Sequence, residues 1–333
     1  MAPPIGVGLE RDMSSNGKSF PYGGQAVLEG VMMRGKRWST VAVRAPSSEI
    51  VLHSEHLPKA LYDSWFIKVP FVRGVGMLWD TLVLGMKALM YSANVALKEE
   101  GEEGEQPQEM SKPVMWGTAA VAILFAIGLF FVAPLLLVGM IDPYIHSSLA
   151  SNVVEGVIRL AVFLVYIWGI AFMPDIKRVY AYHGAEHKCI NAREAGEPLE
   201  ASHAVAYSTS HPRCGTSFLL VVMVLSILIF ALLGRPPMYL RILSRIVLVP
   251  VIAGVAYEFL KFTAAHYSNM LVRWMAAPGL KLQRLTTREP DESQLEVGMA
   301  ALCEVMRLDA LEERDVAPPR AVKFVEFKVG SAG

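Results

Sequence analysis

Residues 114 to 140 run for 27 positions without a charged side chain. As a helix rising 1.5 Å per residue, that stretch is long enough to cross a hydrocarbon core of about 30 Å with some tilt. It predicts a membrane span, and the rest of the chain has to be arranged around it. A second candidate covers residues 156 to 174, with Arg159 near one end, where a long side chain can snorkel to the headgroups. Residues 217 to 234 form a third. The fourth, 246 to 257, is short and reaches spanning length only by including Leu240 to Ser244 or by tolerating Glu258 and Lys261. With 53% hydrophobic residues in 333 and a mean hydropathy of +0.38, the chain is too apolar to be wholly soluble.

The predicted fold class is an α-helical polytopic membrane protein with about four transmembrane helices and a small cytoplasmic α+β portion built from the N- and C-terminal segments. Lysine and arginine counts in short loops set its orientation. Residues 141 to 155 have none, whereas 175 to 216 hold Lys177, Arg178, Lys188, Arg193 and Arg213. With four spans, both termini and the 175–216 loop then lie in the cytoplasm. Arg235, Arg241 and Arg245, in the connection this topology puts outside, argue the other way. The first twenty residues lack the apolar core of a secretory signal, in keeping with a cytoplasmic N-terminus. A formal net charge of zero provides no basic field for nucleic acid. Three cysteines, unevenly placed, suit a reducing compartment rather than a disulfide framework.

Five regions follow. Residues 1–21 are expected to be a flexible N-terminus. Residues 22–98 hold a cytoplasmic sheet and amphipathic helices: 39–56 alternates around a Pro-Ser-Ser turn like a hairpin, and 66–97 places Arg73, Asp80 and Lys87 on one side of a helix that lies on the membrane or packs on the bundle. An acidic linker spans 99–113. The transmembrane bundle is 114–262, interrupted by the 175–216 loop. The C-terminal segment, 263–333, contains a helix of about 17 residues starting near Pro290, and Val322 to Val329 could return a strand to the sheet.

The chemistry gathers in His183-Gly-Ala-Glu186-His187 and His211-Pro-Arg-Cys214. Two histidines four apart share one helix face, as two imidazoles on one tetrahedral zinc require, and in the order H-x-x-E-H the Glu is a general base rather than a ligand. Two versions stay open. Either His183, His187, His211 and Cys214 close a four-ligand structural zinc site, or three of them bind and the fourth position takes a water whose proton Glu186 accepts. Thiolate with imidazole selects zinc over magnesium or calcium. His203 lacks a motif partner. Glu194 and Glu197 read as loop carboxylates that could reach the metal as distant ligands. Cys189, beside Lys188, reads as a packing residue, and Cys303 as core. Glu258 is a charge within or just beyond the fourth span, with Lys261 or His266 as partner. The glycine-dense segment from Gly23 to Gly35 reads as a strand and turn, with Gln25, Glu29 and Arg34 able to line a site.

The segments GGQAVLEGVMMRG, VPFVRGVGMLWDTLVLGMKALMYSAN, YHGAEHK, EAGE, HPRCGTSF and LTTREPDESQLEV, running in order from Gly23 to Val297, resemble the bacterial YqhQ family, a domain-of-unknown-function family described as predicted metal-dependent membrane proteins. The resemblance implies a bacterial inner (cytoplasmic) membrane location and supports His183, Glu186, His187, His211 and Cys214 as one site. It leaves His203 outside the matching motifs. It also implies a loose association with the translation apparatus. The function expected is a zinc-dependent membrane hydrolase with Glu186 as base. Its rival is a noncatalytic membrane scaffold with structural zinc that docks a cytoplasmic protein or the ribosome. A transporter reading rests on Glu258 alone.

Overall fold

The computed structural model describes residues 20–58, 64–65, 69–97, 112–234 and 237–314. Strands β1 (Gly23–Val27), β2 (Gly30–Arg34), β3 (Trp38–Arg44) and β4 (Ile50–His56) form an antiparallel meander in chain order. The expected hairpin is β3 and β4, with Trp38 opposite His56 and Arg44 opposite Ile50. Alternation along the strands gives the sheet two buried faces. Val31, Met33, Ala42 and Leu52 belong to one core, and Val27, Met32, Val41 and Val43 to the other.

Ten α-helices follow among the described residues: α1 (Val72–Leu97), α2 (Lys112–Ile127), α3 (Ala133–Ile141), α4 (Ser148–Ile170), α5 (Pro174–Ala195), α6 (Ala201–Ala204), α7 (Gly215–Leu232), α8 (Met238–Ala265), α9 (Met270–Thr286) and α10 (Glu292–Glu313). A π-helical turn, Gly128–Val132, joins α2 to α3. One sheet face packs on α5 and α10, the other on Leu84 and Ala88 of α1. Helix α10 opens with a capping box between Asp291 and Gln294 and runs 22 residues, longer than its sequence pattern suggests.

Among the described residues, four helical stretches are long and apolar enough to cross a membrane: Ala120–Tyr144, Ser148–Ile170, Gly215–Leu232 and Leu243–Ala265. The fourth reaches that length because α8 continues on both sides of the short apolar run. The expected loop at 175–216 is a correction. Its first half is the 22-residue helix α5, ended by Gly196 at φ 82° with its N–H on the carbonyls of Ala192 and Arg193. The helical face that carries His183 and His187 extends over the whole of α5, which is polar in composition yet enclosed by other segments.

Three charged residues also sit differently from expectation. Arg159 does not snorkel: its Nη2 donates to Glu155 Oε1 at 2.7 Å and its Nε to the Phe130 carbonyl at 3.1 Å. Arg245, one of the arginines opposing the orientation, is inside α8 and donates to the same Glu155 oxygen at 2.5 Å. Glu258 pairs with neither Lys261 nor His266 but takes a two-bond clamp from Arg73 Nε (2.6 Å) and Nη2 (2.5 Å). Arg73, Asp80 and Lys87 indeed share one side of α1, facing Glu258, Arg34 and Glu55. Trp79, Leu82 and Met86 on α1 remain exposed. The proposed return strand at 322–329, residues 99–111 of the expected 99–113 linker and residues 1–19 lie outside the described residues, and Lys112 and Pro113 belong to α2 rather than to a linker.

The sheet is tied to α10 by buried Asp309, which accepts backbone N–H bonds from Lys36 (2.7 Å), Arg37 (2.9 Å) and Trp38 (3.2 Å). An amide there sets N–H against N–H. Asp309→Asn is therefore expected to cost about 2 kcal/mol. Thermal unfolding of the detergent-purified protein checks this, and an unchanged midpoint would show the clamp to be dispensable.

Candidate metal centre

Helix α5 places His183 and His187 one turn apart, with ring centroids 4.4 Å from each other. Both rings are oriented by main-chain carbonyls. His183 Nδ1 lies 2.9 Å from the Thr286 oxygen at the end of α9, and His187 Nδ1 2.6 Å from the Thr209 oxygen. A carbonyl only accepts, so each Nδ1 carries a proton, which in the neutral ring leaves the lone pair on Nε2. Such outer contacts are what fix the tautomer of a metal-binding imidazole.

Those nitrogens meet Cys214, the N-cap of α7. His183 Nε2 is 3.3 Å from its sulfur, close to the roughly 3.5 Å that a tetrahedral zinc with ordinary Zn–N and Zn–S bonds sets between two ligands. The sulfur accepts from the Thr216 N–H at 3.5 Å and lies 3.1 Å from the Thr216 hydroxyl. The first turn of a helix suits an electron-rich sulfur. One donor atom from each of His183, His187 and Cys214 lies within 4.8 Å of the others. The donor types suit zinc, and the His183–Cys214 pair already has the spacing such an ion sets.

Glu186 stands beside this trio. Its Oε1 accepts the Gly24 N–H at 2.9 Å, and its Oε2 is 3.9 Å from His183 Nε2. Burial raises its pKa, against the pull of His183 and the Gly24 N–H. Gly24 is required to be glycine here: an added Cβ would lie 2.2 Å from the Met32 carbonyl oxygen. Gly184 does the same on α5, where a Cβ would lie 2.1 Å from the Arg288 oxygen. Bringing α5 that close to the end of α9 is what lets His183 reach Thr286.

His211 is near but does not join the trio. Its ring is 5.8 Å from that of His187, its Nδ1 accepts from the Arg213 N–H at 3.4 Å, and its buried Nε2 makes no hydrogen bond, with Glu194 Oε2 at 3.5 Å. Burial pushes the Glu194 carboxyl up, but His211 and Arg213 facing it prevail and hold it at about 2. Glu194 sits on α5, not in a loop. Glu197 meets Tyr207 and His203, and His203 is exposed, away from the centre. Cys189 is a fully buried packing residue whose thiol burial pushes up. Cys303 packs against the same core.

The glycine-dense N-terminal segment disperses. Glu29, at φ 50° in the β1–β2 turn, is clamped by Arg178 with both bonds at 2.5 Å, which ties the turn to α5. Gln25 instead abuts Gly85, and Arg34 pairs with Asp80 at 3.0 Å, both on α1. Sequence reasoning missed Gln283, fully buried on α9. Its Oε1 accepts the His211 N–H, and its Nε2 donates to the His211 carbonyl and to Ser217 Oγ, all at 2.8 Å. The only signal was an amide on the side of an amphipathic helix that also carries Val272, Gly279, Leu282 and Thr286.

The family described as "Protein of unknown function (DUF1385)" matches residues 69–308, a stretch holding every donor of the centre. The chain is similar to "Uncharacterized protein YqhQ" of Bacillus subtilis (strain 168), at 33% identity over 311 residues, covering 90% of this chain and 97% of that protein. No solved structure matches. Similarity over nearly the full length of a relative, together with a family match through α1 to α10, places this chain in the YqhQ (DUF1385) family.

Proposed function

We propose that the chain is a zinc-dependent hydrolase of the bacterial cytoplasmic membrane, with its four apolar helices in the bilayer and its centre at the cytoplasmic face. The observation carrying this reading is that, among the described residues, His183, His187 and Cys214 converge without a fourth donor in the same group, and a buried carboxylate stands beside them. His183, His187 and Cys214 would hold the ion, which supplies Lewis-acid activation of water or of a polar substrate bond. Glu186 serves as proton acceptor and donor. The Gly24 N–H fixes one of its oxygens, and burial favours its protonated form once a proton arrives.

The orientation is supported by the bundle itself. The connection between α3 and α4 carries no lysine or arginine, and Arg245 faces Glu155 rather than acting as a loop charge. A structural-zinc scaffold that docks a cytoplasmic protein or ribosomal partner is the second reading, favoured by the depth at which His187 and Glu186 are buried.

Glu186→Gln separates the two. In proteoliposomes assayed against ester, amide and peptide substrates, the variant is expected to keep its zinc and lose hydrolysis about 10²-fold or more. Full activity in Glu186→Gln would sink the catalytic reading. X-ray absorption showing His211 as a fourth protein ligand would move the assignment to the scaffold.

A further inference from the structure

Helix α1 begins beside the middle of α8 and reaches the sheet further on. A Cβ on Gly254 would lie 2.4 Å from the Phe71 carbonyl oxygen, and one on Gly74 would lie 3.0 Å from the Gly254 Cα and 2.8 Å from the Tyr257 Cβ. Small residues that let backbones approach this closely are the usual means of packing helices in a bilayer. Phe71 meets Gly254, Gly74 meets Tyr257 and Arg73 clamps Glu258, so the two helices run in the same direction. Gly254 is eleven residues from either end of the apolar stretch Leu243–Ala265. With α8 crossing the bilayer, the reading of the bundle on which this inference rests, Phe71 lies near the midplane. Half a hydrocarbon core is about 15 Å, or about ten helical residues, so α1 leaves it near Thr81. Leu84 and Ala88, which pack on the sheet, are beyond that level.

The side chains of α1 follow the same boundary. Val72, Val75, Trp79 and Leu82 form an exposed stripe at helical spacing, with Trp79 at 68% and Leu82 at 61% exposure. Trp79 falls close to the headgroup level that indole rings favour. The two charged residues of this part turn inward, Arg73 to Glu258 and buried Asp80 to Arg34. The next charge, Lys87, is exposed and meets Glu55 on the sheet. Main-chain groups give an independent sign. The first N–H groups of a helix can be left to water, but in hydrocarbon each needs a protein acceptor. The Phe71 N–H donates to Glu258 Oε1 (3.3 Å), the Val72 N–H to the Pro70 carbonyl (2.8 Å) and the Arg73 N–H to the Val69 carbonyl (3.0 Å). A second copy of the chain is the other occupant such a stripe could take, but a coiled-coil seam is flanked by outward charges, and here both charges turn away from it.

We propose that α1 is a half-membrane helix, which reaches from the cytoplasmic face to near the midplane beside α8 and presents Val72, Val75, Trp79 and Leu82 to the acyl chains of the surrounding lipid. The Arg73–Glu258 pair is then a two-bond clamp held within hydrocarbon, where each charge neutralises the other and α1 is pinned to α8.

The test places a small fluorescent amino acid at Val75, Leu82 or Leu89, one per full chain, in phosphatidylcholine vesicles whose acyl chains carry bromine either near the headgroup or near the chain end. Val224 of α7, exposed and in the middle of its span, is the control for a lipid-facing position. The label at Val75 is expected to be quenched more by bromine near the chain end, the label at Leu82 more by bromine near the headgroup, and the label at Leu89 by neither. Equal depth at Val75 and Leu82 would show a helix lying flat on the surface and overturn the proposal. Loss of quenching at both positions, with Val224 still quenched, would leave the bundle in the membrane but show the stripe to be covered by protein, which also overturns it. Absence of quenching at Val224 as well would remove the membrane reading, and the proposal with it. Should a labelled chain not fold, unlabelled lysine variants decide. Val75→Lys in bilayer discs is expected to lower the melting midpoint by several degrees and Leu89→Lys to leave it unchanged, and equal midpoints would overturn the proposal.

Discussion

Cys214→Ala is expected to reduce bound zinc from about one ion per chain to under a tenth of that, since structural and catalytic zinc sites alike need at least three protein ligands. The sulfur is the point on which the centre converges: His183 Nε2 lies 3.3 Å away, and the first turn of α7 presents the thiol to both imidazoles. Loss of outer-shell contacts alone typically costs 10- to 100-fold in metal affinity, and loss of a thiolate ligand costs more. Cys189→Ala is the matching control. That thiol shares α5 with the two histidines, but it packs against α10 with its sulfur 3.7 Å from the Leu295 oxygen, outside the donor trio. Mass-spectrometric metal analysis of detergent-purified protein, never exposed to chelator, distinguishes the outcomes. Zinc retained by Cys214→Ala, or absent from folded wild type, would remove the centre as proposed.

Gln283→Leu is expected to be the most destabilising single change near the site, at roughly 3–5 kcal/mol. Leucine nearly matches the volume but abandons three buried partners: the His211 N–H, the His211 carbonyl and the Ser217 hydroxyl. Each unmet buried group carries about 1–3 kcal/mol of desolvation cost. The melting midpoint should fall by about 4–7 °C at this chain length. Gln283→Glu, which keeps the acceptor for His211 N–H but loses the donor, should fall between wild type and leucine. Equal midpoints for wild type and Gln283→Leu would show that water replaces the amide. Because the same side chain anchors the turn leading to Cys214 and the start of α7, zinc affinity should fall along with stability.

The apolar helices were legible because they are local: a charge-free run of spanning length forms a helix whatever its neighbours. The same holds for His183 and His187, whose alignment is set by helical period alone, and for β3 and β4, whose alternation shows on both sides of one turn. Legibility stopped where a partner was distant in sequence. Arg159 reads as a snorkelling residue until α8 supplies a second arginine for Glu155, 90 residues away. Glu258 looks for a partner on its own helix, but α1 brings Arg73 from 185 residues earlier. Helix α5 reads as loop because its composition is polar. Enclosure by the sheet, α9 and α10 is what buries it.

By itself, then, the sequence determined the number of apolar helices, the four-residue spacing of the imidazoles and the types of donor that suit zinc, all properties of short segments. The tertiary structure alone decided which donors meet. It set His211 apart by anchoring its backbone to Gln283, gave each imidazole its tautomer through the carbonyls of Thr209 and Thr286, and fixed Glu186 with an N–H from Gly24, 162 residues away. The physical reason is that ligand geometry depends on where unpaired main-chain groups of one element emerge against the side chains of another, and only packing of the whole chain determines that.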